Sequence, residues 1–234
     1  MVNSKEGGRF FVEDTMAALV IVVGNKAYSS WSLRGWLSVR LSGRPFTEVR
    51  LPMYTEQWEE RIGGLSPSGR VPVLRDGGIV VWDSLAIGEY MAETYPGSVG
   101  WPEDRRARAA ARSVSAEMHS GFAHMREEMP FNCRVRVPGL SFSAEALDDV
   151  ERAKSIWRDC RAEYGSGGPW LFGDFSLADV AFAPVALRFV TYAIPLGSVE
   201  AAYVEAVRTH PAILEWCEAA EREQEIIPGY EIGK

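Results

Sequence analysis

VPVLRDGGIVVWDSLAIGEY, residues 71–90, is the stretch from which the rest of this chain can be organised. Val71-Pro72 opens a short apolar strand, Gly77-Gly78 reverses the chain, and a second strand runs into Asp83-Ser84 at the start of a helix. The order puts a candidate cis X-Pro bond and a helix N-terminus at one end of a small sheet. A cis bond of this kind is held only where a fold requires it, and a helix N-terminus offers unpaired backbone N–H groups to an anion. Together they describe a pocket for an extended peptide that carries carboxylates.

Working outward towards the N-terminus, Leu19 to Val23 is a β-branched run suited to a buried strand. The following NKAYSSWSLRGWLSVRLSG has serines ahead of apolar Leu33, Trp36, Leu37 and Leu41, with Gly43 behind them, which predicts an N-capped amphipathic helix. Residues 45–51 predict a second strand, and residues 55–63 a short helix ending before Gly63-Gly64. The helix opened by Ser84 is expected to reach about Glu93. The resulting β-α-β-α-β-β-α order is that of a thioredoxin-like α/β layer with a mixed sheet.

Tyr95 to Pro102, with two prolines and two glycines, reads as a linker. Beyond it the strand pattern stops. Residues 103–129 predict one long helix and 143–164 another, with further helices at about 176–191, 199–208 and 211–223, so the second half is expected to be all-α. FSLADV, residues 175–180, is the best helix start in the chain: Ser176 and Asp179 form a capping box, with Phe175 and Val180 at the staple positions. The expected organisation is a disordered extension over 1–17 with Met16 as an alternative start, a thioredoxin-like domain over 18–95, a linker over 96–102, and an all-helical domain over 103–234.

Val71-Pro72, Asp83-Ser84, the linker and Ser176-Leu177-Ala178-Asp179, in this order, resemble the glutathione S-transferase family over nearly the whole chain after residue 18. The resemblance is to serine-type, bacterial-like members, with some zeta- and tau-class character. It implies an enzyme that holds glutathione against the thioredoxin-like half and adds its thiol to a hydrophobic electrophilic or peroxidic co-substrate. It also implies a homodimer working in the cytoplasm.

The chemistry turns on Tyr28-Ser29-Ser30-Trp31. A free thiol near pKa 8.5 is only a few per cent thiolate at neutral pH, and lowering that pKa by about two units takes about 2.7 kcal/mol of preference for the anion. A serine hydroxyl at a helix N-terminus suits that task, because it donates a charge-assisted hydrogen bond while the helix dipole adds its own attraction. In serine-type members the active serine lies about five residues before an arginine; Arg34 puts Ser29 in that register, with Ser30 the alternate and Tyr28 a weaker one. The zeta-class pattern is Ser-Ser-Cys, and Trp31 stands at that cysteine position. The resemblance further assigns the Val71 backbone to the cysteinyl part of glutathione, beside Pro72, and Asp83 and Ser84 to the γ-glutamyl end. It gives Arg70 to the glycyl carboxylate. A glutathione-dependent zeta-like isomerase, or a non-catalytic binding module on the same fold, are the rival readings.

Composition sets the outer bounds. The 234 residues carry a net charge of −7, which argues against a nucleic-acid-binding face; Arg105, Arg106, Arg108 and Arg112 read as the solvated side of a helix. Three cysteines at wide spacing, Cys133, Cys160 and Cys217, fit neither a disulfide framework nor a zinc pattern and point to a reducing compartment. None precedes residue 133, so a cysteine-based redox mechanism in the first half is not expected. His119 and His124 are five apart and predict no metal site, His210 reads as a helix boundary, and no apolar run is long enough to cross a bilayer. Met118, Phe122, Met125 and Met129 form an apolar stripe that reads first as core and second, with Trp31 and Trp36, as a wall for the co-substrate.

Overall fold

A computed structural model describes residues 19–233, so the expectation for residues 1–17 lies outside the described residues. Four strands make one sheet: β1 (Leu19–Val23), β2 (Phe46–Arg50), β3 (Val73–Asp76) and β4 (Ile79–Trp82), in the order β2-β1-β3-β4. β1 pairs parallel with β2, while β3 lies antiparallel to both β1 and β4. Three helices complete this half: α1 (Ser30–Arg40), α2 (Glu56–Leu65) and α3 (Ser84–Thr94). The thioredoxin-like reading of the first half is what the chain adopts.

The register explains why the site forms where it does. Val22 pairs with Val73, and Val73 with Trp82. The chain leaving β1 towards Ser29, the Val71-Pro72 entry to β3 and the Asp83-Ser84 exit from β4 therefore all lie at one end of the sheet. The Val71–Pro72 peptide is cis. The Pro72 ring is packed against α1: a Cβ at Gly35 would stand 2.6 Å from Pro72 Cγ, so only glycine admits this approach. Gly35→Ala is expected to lower stability by about 2 kcal/mol, since neither the ring nor the helix backbone can yield cheaply. Urea unfolding of the variant checks this.

The second half is helical: α4 (Arg105–Ser120), α5 (Ala123–Glu128), α6 (Ala144–Tyr164), α7 (Leu177–Thr191), α8 (Ser198–Thr209) and α9 (Pro211–Glu221), followed by a 3₁₀ turn at Pro228–Tyr230. The expected single helix over 103–129 is two helices. Gly121 caps α4 in an extended conformation and Phe122 follows in a left-handed one (φ 60°), which ends the ladder, and Asp149 of α6 accepts the Met125 N–H at 3.0 Å where the next helix starts. The helix expected to stop before Gly63-Gly64 continues through both glycines to Leu65. His210 is the boundary residue expected, accepting the Ala212 N–H on Nδ1 at the start of α9.

One hydrophobic core runs through both halves, from Ile21, Leu33 and Leu37 to Leu177, Phe182 and Trp216. Helix α7 is buried on nearly every side and forms its centre. Met118, Phe122, Met125 and Met129 are core residues, and Trp36 is buried against Phe46 and Trp216, so of the suggested wall only Trp31 remains. The capping box forms as expected: Asp179 accepts the Ser176 N–H at 2.9 Å and also the Leu171 N–H at 3.1 Å. Among the described residues no helix is long and apolar enough to cross a membrane.

Candidate active site

Ser29 is the N-cap of α1. Its Oγ accepts the Ser32 N–H at 3.2 Å and donates to Ser32 Oγ at 2.8 Å, while Ser32 Oγ also accepts the Gly24 N–H at 3.0 Å. Ser29 thus stands where the helix dipole is positive, on a hydroxyl relay whose proton direction can reverse. Ser30 is equally buried but faces another way: its Oγ accepts from Arg188 Nη2 at 3.3 Å. Between the two alternates, the N-cap hydroxyl is the one the helix end orients.

Tyr28 is tied elsewhere. Its hydroxyl donates to Glu231 at 2.6 Å and accepts from Arg134, and burial with the Glu231 carboxylate pushes its pKa up to about 12. The phenol proton is thereby committed to Glu231. Tyr28→Phe is expected to leave glutathione turnover unchanged and to lower stability by about 1.5–3 kcal/mol, the range for losing a hydrogen bond to a charged group. Parallel kinetics and denaturation of the variant separate the two effects.

At the sheet's other exit, Asp83 adopts φ 73° and caps α3, its Oδ1 accepting the Leu85 N–H at 2.8 Å. Its Oδ2 lies 3.0 Å from His119 Nε2 on α4. A non-glycine residue at positive φ is held there by its surroundings, and here the cap and the histidine hold it. Ser84 begins α3; its hydroxyl is buried without a hydrogen-bond partner and lines a narrow interdomain cavity. Val71 is half-buried just ahead of β3, and Arg70 is exposed beside it. The structure therefore gathers Ser29, Val71-Pro72 and Asp83-Ser84 at one rim.

Several residues that fix the surroundings of Ser29 went unread in the sequence. The loop before Ser29 is fixed by Glu223, which accepts the Lys26 N–H at 2.7 Å and the Ala27 N–H at 3.1 Å. Glu48 binds Lys26 Nζ at 2.8 Å and the Trp36 indole N–H at 2.7 Å. Neither acid stands in a motif, so only the folded contact reveals it. Arg34, used in the sequence only to set register, is buried with Nε donating to the Ala181 carbonyl at 2.9 Å. Burial and the neighbouring Arg126 and Arg188 guanidinium groups hold its pKa well below the ordinary value. Arg188 is likewise buried, with its pKa lowered to about 9 by burial and by Arg126. Trp31 lies between Arg34 and Arg126, whose guanidinium carbons are 4.7 and 5.1 Å from its ring centre. Among the described residues, no group of His, Cys, Asp and Glu side chains is placed to hold a metal ion.

Residues 28–94 match the glutathione S-transferase N-terminal domain model and residues 109–219 the C-terminal domain model. The chain belongs to the glutathione S-transferase family. It is 27% identical to maleylacetoacetate isomerase of Rattus norvegicus over 170 residues, covering 66% of this chain and 70% of that protein. Glutathione S-transferase L1 of Arabidopsis thaliana is 24% identical over 163 residues, 68% of this chain and 62% of that protein. Among solved structures, a Burkholderia glutathione transferase homolog with bound glutathione superimposes with a TM-score of 0.67 at 23% identity, covering 87% of this chain and 98% of that one. A bacterial zeta-class maleyl pyruvate isomerase gives 0.67 at 21% identity, covering 88% and 100%. The enzyme reading of the sequence is thereby upheld for a glutathione S-transferase.

Proposed function

We propose that this glutathione S-transferase binds glutathione across the rim of Ser29, Val71-Pro72 and Asp83-Ser84, and activates its thiol through Ser29. What carries the reading is the position of the Ser29 hydroxyl at the α1 N-terminus, on its relay to Ser32. When the sulfur loses its proton to solvent water, Ser29 turns its own proton to the thiolate, and Ser32 turns its hydroxyl proton back to Ser29. The first N–H groups of α1 add their dipole to the same anion. The thiolate then forms a C–S bond to the electrophilic carbon of the co-substrate, whose leaving group departs with, or whose conjugated π bond takes up, the displaced electron pair; Ser29 never forms a bond to it. The Val71 backbone holds the cysteinyl part like an added strand, and the N-terminal N–H groups of α3, with the Ser84 hydroxyl, take the γ-glutamyl carboxylate. Asp83 takes the ammonium on lone pairs not used by His119, and Arg70 meets the glycyl carboxylate. The working form is a cytoplasmic homodimer.

Calorimetric titration tests the binding half of this reading. Glutathione is expected to bind, and cysteinylglycine, which lacks the γ-glutamyl group, to bind at least tenfold more weakly, about 1.4 kcal/mol or more. Equal affinities would remove Asp83 and Ser84 from the site, and no binding of glutathione would leave a non-catalytic module.

One observation favours the second reading, a glutathione-dependent isomerase. Arg126 and Arg188 place positive charge beside Ser30 and Trp31, a wall suited to an anionic co-substrate. Two of the similar proteins are maleylacetoacetate and maleyl pyruvate isomerases. With a maleyl substrate, recovery of all glutathione unchanged would establish isomerisation, while a stable thioether product would establish transfer.

A further inference from the structure

The three cysteines stand far apart in the sequence, but the fold brings two of them together. Cys133 lies between α5 and α6, and Cys217 is on α9. The Cys133 thiol donates to the Lys26 carbonyl at 3.6 Å, and the indole N–H of Trp216, next to Cys217, donates to the same carbonyl at 2.9 Å. Cys133 also packs on the small cluster of Ala27, Tyr28 and Ala220, and Ala220 lies one turn beyond Cys217 on α9. The two thiols share a hydrogen bond. Both are half-buried and so reach solvent, whereas Cys160 is buried in the helical core.

Thiol oxidation needs one thiolate to begin and a second thiol within reach to finish. The hydrogen bond from Cys133 holds the Cys217 thiol below its ordinary range, while that hydrogen bond and burial push Cys133 well above it. The pair is therefore asymmetric, with Cys217 the attacking sulfur and Cys133 the resolving one. Cys160 is pushed up to about 12 by burial, which keeps it a thiol. The half-buried setting favours a small oxidant over a bulky disulfide, because attack requires access to the sulfur.

We propose that Cys133 and Cys217 form a redox site that a hydroperoxide oxidises to an intramolecular disulfide, tying the segment after α5 to α9 behind the loop that leads to Ser29. The Cys217 thiolate forms an S–O bond to one peroxide oxygen. The O–O bond breaks, and the other oxygen leaves with the electron pair and takes a proton from water. Cys217 is then a sulfenic acid. The Cys133 sulfur displaces the sulfenic hydroxyl, which departs as water with the Cys133 proton, and the S–S bond forms. Two thiols have lost two electrons and the peroxide has gained them; a dithiol reductant reverses the change. Closure also removes the S–H that Cys133 donates to Lys26, so the redox state of the pair is felt by the backbone of that loop.

The test treats the reduced full chain with a small excess of hydrogen peroxide. No glutathione is present, so the outcome does not depend on the proposed glutathione site. The intact chain is expected to lose about 2 Da, the hydrogens of two thiols. Titratable thiols in denaturant should fall from three to one, and a protease digest should yield one peptide pair joining Cys133 to Cys217. Dithiothreitol should restore all three thiols. Cys160→Ser should leave the link unchanged. Cys133→Ser should stop at a Cys217 sulfenic acid, a gain of about 16 Da that dimedone traps. Three thiols surviving the peroxide would overturn the proposal. So would a link through Cys160, a link between two copies of the chain, or oxygen added to Cys217 of the unaltered protein with no disulfide. If Cys133→Ser does not fold, the peptide map of the unaltered protein still decides.

Discussion

Ser29→Ala is expected to lower kcat/KM for glutathione conjugation about a hundredfold, with KM for glutathione nearly unchanged. The size follows from the thiol: losing about two units of pKa depression removes about 2.7 kcal/mol of preference for the thiolate, and single donors to a developing anion have comparable measured effects. Because the serine stabilises the anion and does not hold the tripeptide, the loss falls on kcat. The acid limb of the pH–rate profile should move up by the same two units or so, and ultraviolet thiolate absorbance of bound glutathione at neutral pH should disappear. The neighbouring Ser30→Ala, which removes only an acceptor from Arg188, should leave that limb in place. If Ser30→Ala moves it and Ser29→Ala does not, the roles of the two serines are exchanged.

Asp179→Ala is expected to destabilise the fold by about 3–5 kcal/mol, the cost of removing one member of a buried charged network. The carboxylate is fully buried and holds the Leu171 N–H, the Ser176 N–H and the Ser176 hydroxyl, so its loss strands three donors at the start of the central helix. Burial raises the Asp179 pKa from 3.8 to about 6, against the lowering effect of those hydrogen bonds. The sign is set by the raised value: the folded protein holds the proton more tightly than the unfolded chain. The stability linked to that proton is complete below pH 3.8 and is lost as the pH rises through about 6. Denaturant unfolding should therefore show a decline over this window of up to about 1.4 kcal/mol per pH unit, absent from Asp179→Asn. A flat profile for both proteins would show that the hydrogen bonds hold the carboxylate ionised throughout.

Local rules carried much of the architecture. The Gly77-Gly78 reversal, the Val71-Pro72 entry and the capping box at Ser176 are settled within a few residues, and all three form as read. The failures have different causes. The end of α4 had a local signal that was passed over, the Gly121 C-cap, and α6 then supplies Asp149 to Met125 where the next helix starts. Trp36 lies on the apolar face expected of it, but whether that face meets a cleft or a core was fixed by Trp216, far along the chain. The Ser29 N-cap was legible because a helix start has a local signature. Glu223, Glu48 and Arg188 were not, because each acts on a partner remote in sequence.

The Glu223 contact has a consequence for synthesis. Its carboxylate accepts backbone N–H groups 197 and 196 residues earlier, at Lys26 and Ala27. Ribosomes add about 5–20 residues per second, so the loop waits roughly 10–40 s after its own translation for these partners. During that interval the nascent sheet can assemble while the segment leading to Ser29 still has two amides in water. Premature termination before Glu223 would leave those amides without the carboxylate that fixes them, in a chain that still contains every residue of the proposed glutathione rim.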